Sequence, residues 1–302
     1  MVASSFSMYT TAPISLRYGQ VVEAVYRNCI AMPLPREVVE RYSGTRRMAI
    51  LAYEFDIVQR DSDGTEISVP LYDVYNHHHN LELTSNDPRA SIYLPGAFDF
   101  RGLSTVLKAP YRHVLDTPSG AACASLHLIN TQNPAEPRRD TPSPLLECPC
   151  NDIMRQRLLA SKKEWRRQPM DRACKDVLTG NPVCSAASYT GGMRCCDRHH
   201  EFLLNASDCP QPGGCVHGAI KRDIYFKATI HYEDASSDVR HVQDTRCCGI
   251  AREFDVLPCA PGTPLQHCVR RFEHVVPMTT RWQARLLEVP YMRPHVHEVH
   301  SL

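Results

Sequence analysis

Residues 221–232 carry apolar side chains at every second position, and this alternation constrains the fold more than any other feature of the sequence. The apolar positions are Ile224, Phe226, Ala228 and Ile230. Tyr225 and Thr229 fall on the opposite side. A period of two is typical of a β-strand with one face in a core and one face toward solvent. The segment therefore predicts a half-buried strand.

Two further segments follow the same period. Residues 48–58 alternate in large part, the turn signal Asp61-Ser62-Asp63-Gly64 follows, and residues 67–75 resemble a returning strand. This arrangement predicts a β-hairpin that delivers the histidines after Tyr75 to its far end. Residues 111–117 predict another short strand. Since residues 152–167 form the only clear helix pattern, with Asn151 or Asp152 as its cap, the expected class is mainly β with little helix.

Size and charge exclude several functional classes. The chain has 302 residues, enough for a substantial core and for two domains. Its net charge is +1, from 34 basic and 33 acidic residues, which argues against binding to nucleic acid. No run approaches the roughly 18 apolar residues of a membrane-spanning helix. We therefore expect neither a nucleic-acid partner nor a membrane span.

The chain contains 14 cysteines, and they are unevenly distributed. Cys29 stands alone before position 120, and the others lie between Cys123 and Cys268. Adjacent pairs such as Cys195-Cys196 suit disulfides better than a zinc site, whose ligand pairs stand two to four residues apart. A glycosylation sequon at residues 205–207 agrees with this interpretation. The pattern predicts a secreted, disulfide-rich glycoprotein, whose signal peptide is not visible in this chain.

The run His77-His78-His79 predicts a metal site, because imidazole is a good ligand for copper, zinc, nickel or iron. In a regular strand His77 and His79 share a face, while His78 points away unless the strand bends. A solvated polar turn with no metal is the alternative.

Other histidines supply further candidate ligands. His113 lies in the predicted strand at residues 111–117, and His295 and His297 form an i, i+2 pair near the end of the sequence. Two histidine sites are therefore expected: one from the triple run with His113, and one from His295 with His297. Hydrolase, kinase and dinucleotide-binding motifs are absent from the sequence.

Several short motifs, in one order along residues 70–278, resemble the plant-type stress up-regulated Nod family, the SURNod group. They are Tyr75-Asn76-His77-His78, His113-Val114-Leu115-Asp116-Thr117, Cys148-Pro149-Cys150, Gly191-Gly192-Met193-Arg194-Cys195-Cys196 and Lys221-Arg222-Asp223-Ile224-Tyr225-Phe226. This family is secreted and rich in cysteine. Its histidine pattern is in turn similar to that of copper type II, ascorbate-dependent monooxygenases, which use two β-sandwich domains with one copper each.

The resemblance implies a ligand set for each copper. His77, His78 and His113 match the three-histidine copper that passes electrons, and His295 and His297 match two ligands of the oxygen-activating copper. A methionine completes that second site in the enzymes, because a thioether stabilises Cu(I). Met278 and Met292 are the nearby methionines, and neither stands at the expected place.

The resemblance also implies the architecture. We expect an antiparallel, jelly-roll-like β-sandwich domain at residues 1–215 and a second β domain at residues 216–302 that looks truncated. The expected function is that of a secreted, stress-associated copper protein related to copper-dependent monooxygenases, with zinc as the alternative metal. The other hypothesis is a non-catalytic extracellular β-sandwich that binds an unidentified small molecule or extracellular partner.

Overall fold

The computed structural model describes residues 4–24, 28–95, 105–133, 143, 145, 151–160, 202–204, 221–242 and 261–267. The chain divides into two compact units. The first comprises residues 1–151, 191–244 and 290–302, and the second comprises residues 152–190 and 245–289. In the second unit a helix, Asp152–Ala160, begins where the sequence predicts one. Among the described residues, no helix combines the length and the apolar character that a membrane span requires.

The first unit contains two β-sheets. The strands of the eight-stranded sheet are β1 Ser4–Tyr9, β2 Ile14–Leu16, β5 Arg47–Arg60, β6 Glu66–Ser68, β9 Thr105–Val106, β10 Tyr111–Asp116, β12 Arg222–Asp234 and β13 Arg240–His241. The strands of the five-stranded sheet are β3 Val21–Ala24, β4 Ile30–Pro33, β7 Val74–Ser85, β8 Ile92–Pro95 and β11 Pro118–Asn130. A short helix, Arg36–Arg41, lies between β4 and β5.

Pairing within the sheets is antiparallel throughout, except for the parallel pair β10 and β13. One cluster of buried apolar residues takes its members from both sheets, for example Phe226 of β12 and Leu126 of β11. Two antiparallel sheets that share a core form a β-sandwich. The predicted fold class is confirmed.

Strand β12 confirms the alternation on which that prediction rested. Ile224, Phe226 and Ile230 have no exposed surface, whereas Tyr225 and Thr229 on the other face are half-buried. The strand lies between β1 and β5 and pairs with both. Residues on both sides of the predicted domain boundary at 215 thus contribute to one sheet. Most of residues 243–302 lie outside the described part of the chain.

Of the hairpin predicted after residue 47, only the part near the turn forms, where β6 pairs with β5. Asp61 accepts hydrogen bonds at Oδ1 from the backbone N–H groups of Asp63 and Thr65, and Gly64 adopts a φ of +85°. Strand β6 then ends at Ser68, and the chain crosses to the other sheet. The prediction of one returning strand ending at the histidines is therefore wrong. They lie inside β7, a strand of 12 residues in the five-stranded sheet.

A sharp corner between β10 and β11 also joins the two sheets. Thr117 stands between β10 and β11 with a φ of +42°, which is rare for a β-branched residue. The hydroxyl of Ser85 donates to the carbonyl of Asp116 at 2.5 Å, and the N–H of Asn86 donates to the carbonyl of Thr117 at 2.9 Å. These hydrogen bonds hold the corner against the end of β7.

Strand β11 shows the two faces of the five-stranded sheet most clearly. Ala122, Ala124, Leu126 and Leu128 belong to the shared core. The residues between them project from the outer face, away from the eight-stranded sheet. Cys123 on that face is bonded to Cys29, with 5.5 Å between their Cα atoms. One disulfide is thus present, as the cysteine content predicts, and the other cysteines lie outside the described residues.

We expect Phe226→Ala to lower the free energy of unfolding by about 3–5 kcal/mol, because it removes a buried ring from the core. Phe226 has no exposed surface, and its ring stacks on Phe55 with the centroids 5.4 Å apart. Thr229→Ala, on the other face of the same strand, is the matched control and should cost about 1 kcal/mol through its hydrogen bond to Ser7. Urea unfolding measures both. Equal losses would contradict the assigned faces.

Candidate metal centre

The three adjacent histidines lie where the pairing of β7 with β11 changes register. His78 is opposite His127, and Asn76 is opposite Leu128, so His77 is one residue in excess. A single extra residue in one strand of an antiparallel pair is a β-bulge, and it interrupts the alternation of side chains. The rule that adjacent strand residues point to opposite faces therefore does not hold between His77 and His78.

The bulge brings His77 and His78 to the same face as His127. The rings of His77 and His78 stack with their centroids 4.9 Å apart, and the ring of His127 lies 4.7 Å from the first and 4.6 Å from the second. His127 stands between the core residues Leu126 and Leu128, so it projects from the outer face of the sheet. The three imidazoles form one group on that face, which we call the histidine trio.

The nitrogen atoms of the trio have the spacing of metal ligands. Nδ1 of His127 lies 3.1 Å from Nδ1 of His77 and 3.3 Å from Nε2 of His78. The three candidate ligand atoms all lie within 4.8 Å of one another. Nitrogens bound to one tetrahedral ion at about 2.0–2.1 Å stand about 3.3 Å apart. The trio could therefore hold a metal ion.

The surroundings leave one ligand of the trio partly accessible. His77 is 1% exposed and His127 is fully buried, whereas His78 is only half-buried. The ring of Tyr75 lies 5.4 Å from that of His77. Glu23 of β3 is directly opposite His127, and burial raises the pKa of its carboxyl group. Cross-strand neighbours have Cβ atoms about 5 Å apart, so this carboxyl group belongs to the same face.

His79, which strand geometry alone pairs with His77, points the other way. Its ring packs edge-on against Phe55 at 4.6 Å and lies 5.2 Å from the ring of Phe226, inside the sandwich. The side-chain amide of Asn76 is 2.8 Å from its Nδ1. His79 is thus a buried, hydrogen-bonded core residue that the structure does not bring to the trio.

His113 is also separate from the trio. It lies on β10 of the other sheet, opposite Ile50, whose side chain is part of the core. Its ring is fully buried, with Nδ1 2.9 Å from the carbonyl oxygen of Val242. The sequence predicted His113 as the third imidazole beside His77 and His78. In the structure the third imidazole of this group is His127.

His127 carries no local signal of a ligand, because it stands alone in the apolar run Leu126–Ile129. The signal that could have found it is the alternation of small and apolar residues at even positions from Ala122 to Leu128. That pattern assigns His127 to the polar side of the strand, where a histidine needs a partner. The other predicted ligands, His295 and His297, lie outside the described residues.

No protein-family model, curated protein or solved structure matches this chain. The resemblance to the SURNod group therefore stays a prediction.

We expect acid to destabilise the protein through His113. Burial lowers the pKa of its imidazole from 6.5 to about 4, so the folded state favours the neutral ring. This contribution is complete above about pH 6.5 and is lost as the pH falls toward 4. A pKa shift of that size corresponds to about 3 kcal/mol of unfolding free energy. Urea unfolding at pH 7 and at pH 4 measures how much unfolding free energy the protein loses in acid. This loss should be smaller by about that amount in His113→Gln, whose side chain cannot titrate. An unchanged loss would contradict this assignment.

Proposed function

We propose that this chain is a copper-binding protein whose ion is held by His77, His78 and His127. The observation that carries the proposal is the spacing of the three imidazole nitrogens, at 3.1 and 3.3 Å from the shared Nδ1 of His127. Two imidazole nitrogens this close must share a proton between them, and a metal ion replaces that proton. Since the ligands must be deprotonated, affinity should fall in acid.

The donor set favours copper over zinc. All three ligand atoms are imidazole nitrogens, which suit both metals. For a given nitrogen site the affinity of divalent ions increases up to Cu²⁺ and is lower for Zn²⁺. Zinc is therefore the alternative occupant wherever copper is scarce.

The coordination number favours a reactive site. Three protein ligands leave a fourth position, which is the arrangement of catalytic rather than structural metal sites. His78 is the ligand that solvent can reach, so the open position is expected on its side. Copper supplies one-electron redox chemistry when bound there. The three histidines hold and orient it, and buried Tyr75 limits water on the side of His77.

We further propose that the protein is secreted and belongs with the SURNod group, and that its activity is that of a copper-dependent monooxygenase. The Cys29–Cys123 disulfide supports secretion, because such bonds persist in oxidising compartments. The β-sandwich and the adjacent pair His77 and His78 support the relation to the copper enzymes. Their second copper would need His295 and His297.

Metal analysis tests the ligand set directly. We expect the wild type to bind one equivalent of Cu²⁺ with an electron paramagnetic resonance spectrum of nitrogen ligation. His77→Gln and His127→Gln should each weaken binding by at least about tenfold, because each removes one of three ligands. His231→Gln removes an imidazole from the other sheet, where it pairs with Glu54, and is the matched control.

A deletion variant tests whether the bulge itself is needed for copper binding. Removing His77 restores strict alternation in β7, with Asn76 and His79 still facing the core. We expect this variant to fold and to lose tight copper binding, since only two ligands remain opposite each other. Copper bound as tightly by the His77 and His127 variants as by the wild type would refute the site.

A non-catalytic function is the second candidate, and the burial of His77 and His127 favours it, because closed sites are typical of structural metals. Oxygen uptake in the presence of ascorbate and one equivalent of copper distinguishes the two. With unbound copper removed from both samples, a catalytic site predicts uptake by the wild type well above that of His127→Gln. If uptake is equal in both samples while the wild type binds copper, the metal has a structural role.

A further inference from the structure

A carboxyl group on β3 extends the histidine trio across the five-stranded sheet. Strand β11 lies between β3 and β7 and pairs with both. Along one line across these strands, Glu23 of β3 is opposite His127, and His127 is opposite His78. Since Val22 belongs to the shared core, its neighbour Glu23 projects from the outer face, as the trio does.

The orientation of the His127 ring separates its two nitrogens. Nδ1 lies 3.1 Å from Nδ1 of His77 and 3.3 Å from Nε2 of His78, and both of these residues are on β7. The two nitrogens of an imidazole are on different sides of the ring, so Nε2 of His127 faces away from β7. Strand β3 is the neighbour on that side.

Metal binding at Nδ1 would place the proton of His127 on Nε2. A nitrogen that binds a metal gives up its proton, so the neutral ring carries its proton on the other nitrogen. His127 is fully buried, and a buried N–H group needs an acceptor. Histidines that bind metals usually donate this second N–H to a carboxylate, a carbonyl or a water, which fixes the ring and makes it more basic.

Glu23 offers a carboxylate within reach of this N–H. Directly opposed residues of an antiparallel pair have Cβ atoms about 4.5–5.5 Å apart, a gap that a glutamate side chain and an imidazole can close. Glu23 is half-buried, so its carboxyl group is partly shielded from water. Less water competes for the hydrogen bond there, and the charge acts through a lower dielectric constant.

The position of Glu23 does not suit direct coordination of the ion. Among the described residues, the group whose candidate ligand atoms all lie within 4.8 Å of one another contains the three histidines and no carboxylate. Neighbouring strands are about 4.8 Å apart, so β3 and β7 are separated by roughly twice that distance. Glu23 would have to reach past His127 to bind an ion beside His77 and His78.

We propose that Glu23 is a positioning residue of the metal centre, whose carboxylate accepts the Nε2–H of His127 and holds Nδ1 toward the ion. This inference rests on the copper site proposed above. The negative charge beside a ligand stabilises Cu²⁺ more than Cu⁺, because the Coulomb energy increases with the charge of the ion. Glu23 therefore influences the reduction potential of the bound copper as well as its affinity.

Competition of the whole chain with chelators for Cu²⁺ and for Cu⁺ tests this assignment. Glu23→Gln keeps the shape and an acceptor oxygen but removes the charge. We expect it to bind Cu²⁺ at least about tenfold more weakly and Cu⁺ nearly as tightly as the wild type does. A tenfold selective loss raises the Cu²⁺/Cu⁺ reduction potential by about 59 mV. Glu82→Gln, opposite Cys123 on the same outer face, is the matched control and should change neither affinity.

A double variant shows whether Glu23 acts through His127. In His127→Gln the ring that Glu23 holds is gone, so adding Glu23→Gln should change the remaining Cu²⁺ affinity by at most about twofold. A full tenfold loss in that background would mean that Glu23 acts on the ion without His127, and it would overturn the proposal. Equal losses of Cu²⁺ and Cu⁺ affinity in Glu23→Gln would also overturn it, since a merely structural role weakens both.

The same measurements distinguish this inference from the copper site on which it rests. A wild type that binds no copper refutes both. A wild type that binds copper, with the affinities and the potential unchanged in Glu23→Gln, supports the site and refutes the role of Glu23.

Discussion

The extra residue in β7 is the constraint on which the candidate metal centre depends. A regular strand presents neighbouring side chains to opposite faces, so His77 and His78 could not otherwise chelate one ion. At the bulge, His77 and His78 of β7 lie opposite the single residue His127 of β11, and both of their rings lie against its ring. Bulges occur frequently next to functional sites because they redirect a side chain without changing the sheet. Here the redirected side chain belongs to a histidine group that could hold a metal ion.

The core holds this bulge in place from the opposite face. On one side of it Val74 and Asn76 point inward, and on the other side His79 and Leu81 do so. The hydrogen bond between Asn76 and His79 spans the extra residue, and Phe55 confines the ring of His79. A slip of register would carry these residues to the outer face, which the packing of the sandwich opposes. The trio is therefore positioned by residues that point to the opposite face of the sheet.

The fold could be predicted from the sequence more completely than the candidate site, for a physical reason. Alternation is local, so the faces of β12 could be read from residues 221–232 alone. A change of sheet is not local: the alternation continues through residues 67–75, although the chain turns at Pro70, whose carbonyl accepts from Asp73 and Val74. The bulge likewise depends on the partner strand, and His127 is 49 residues from His78. Local spacing therefore favoured His79, and the resemblance favoured His113.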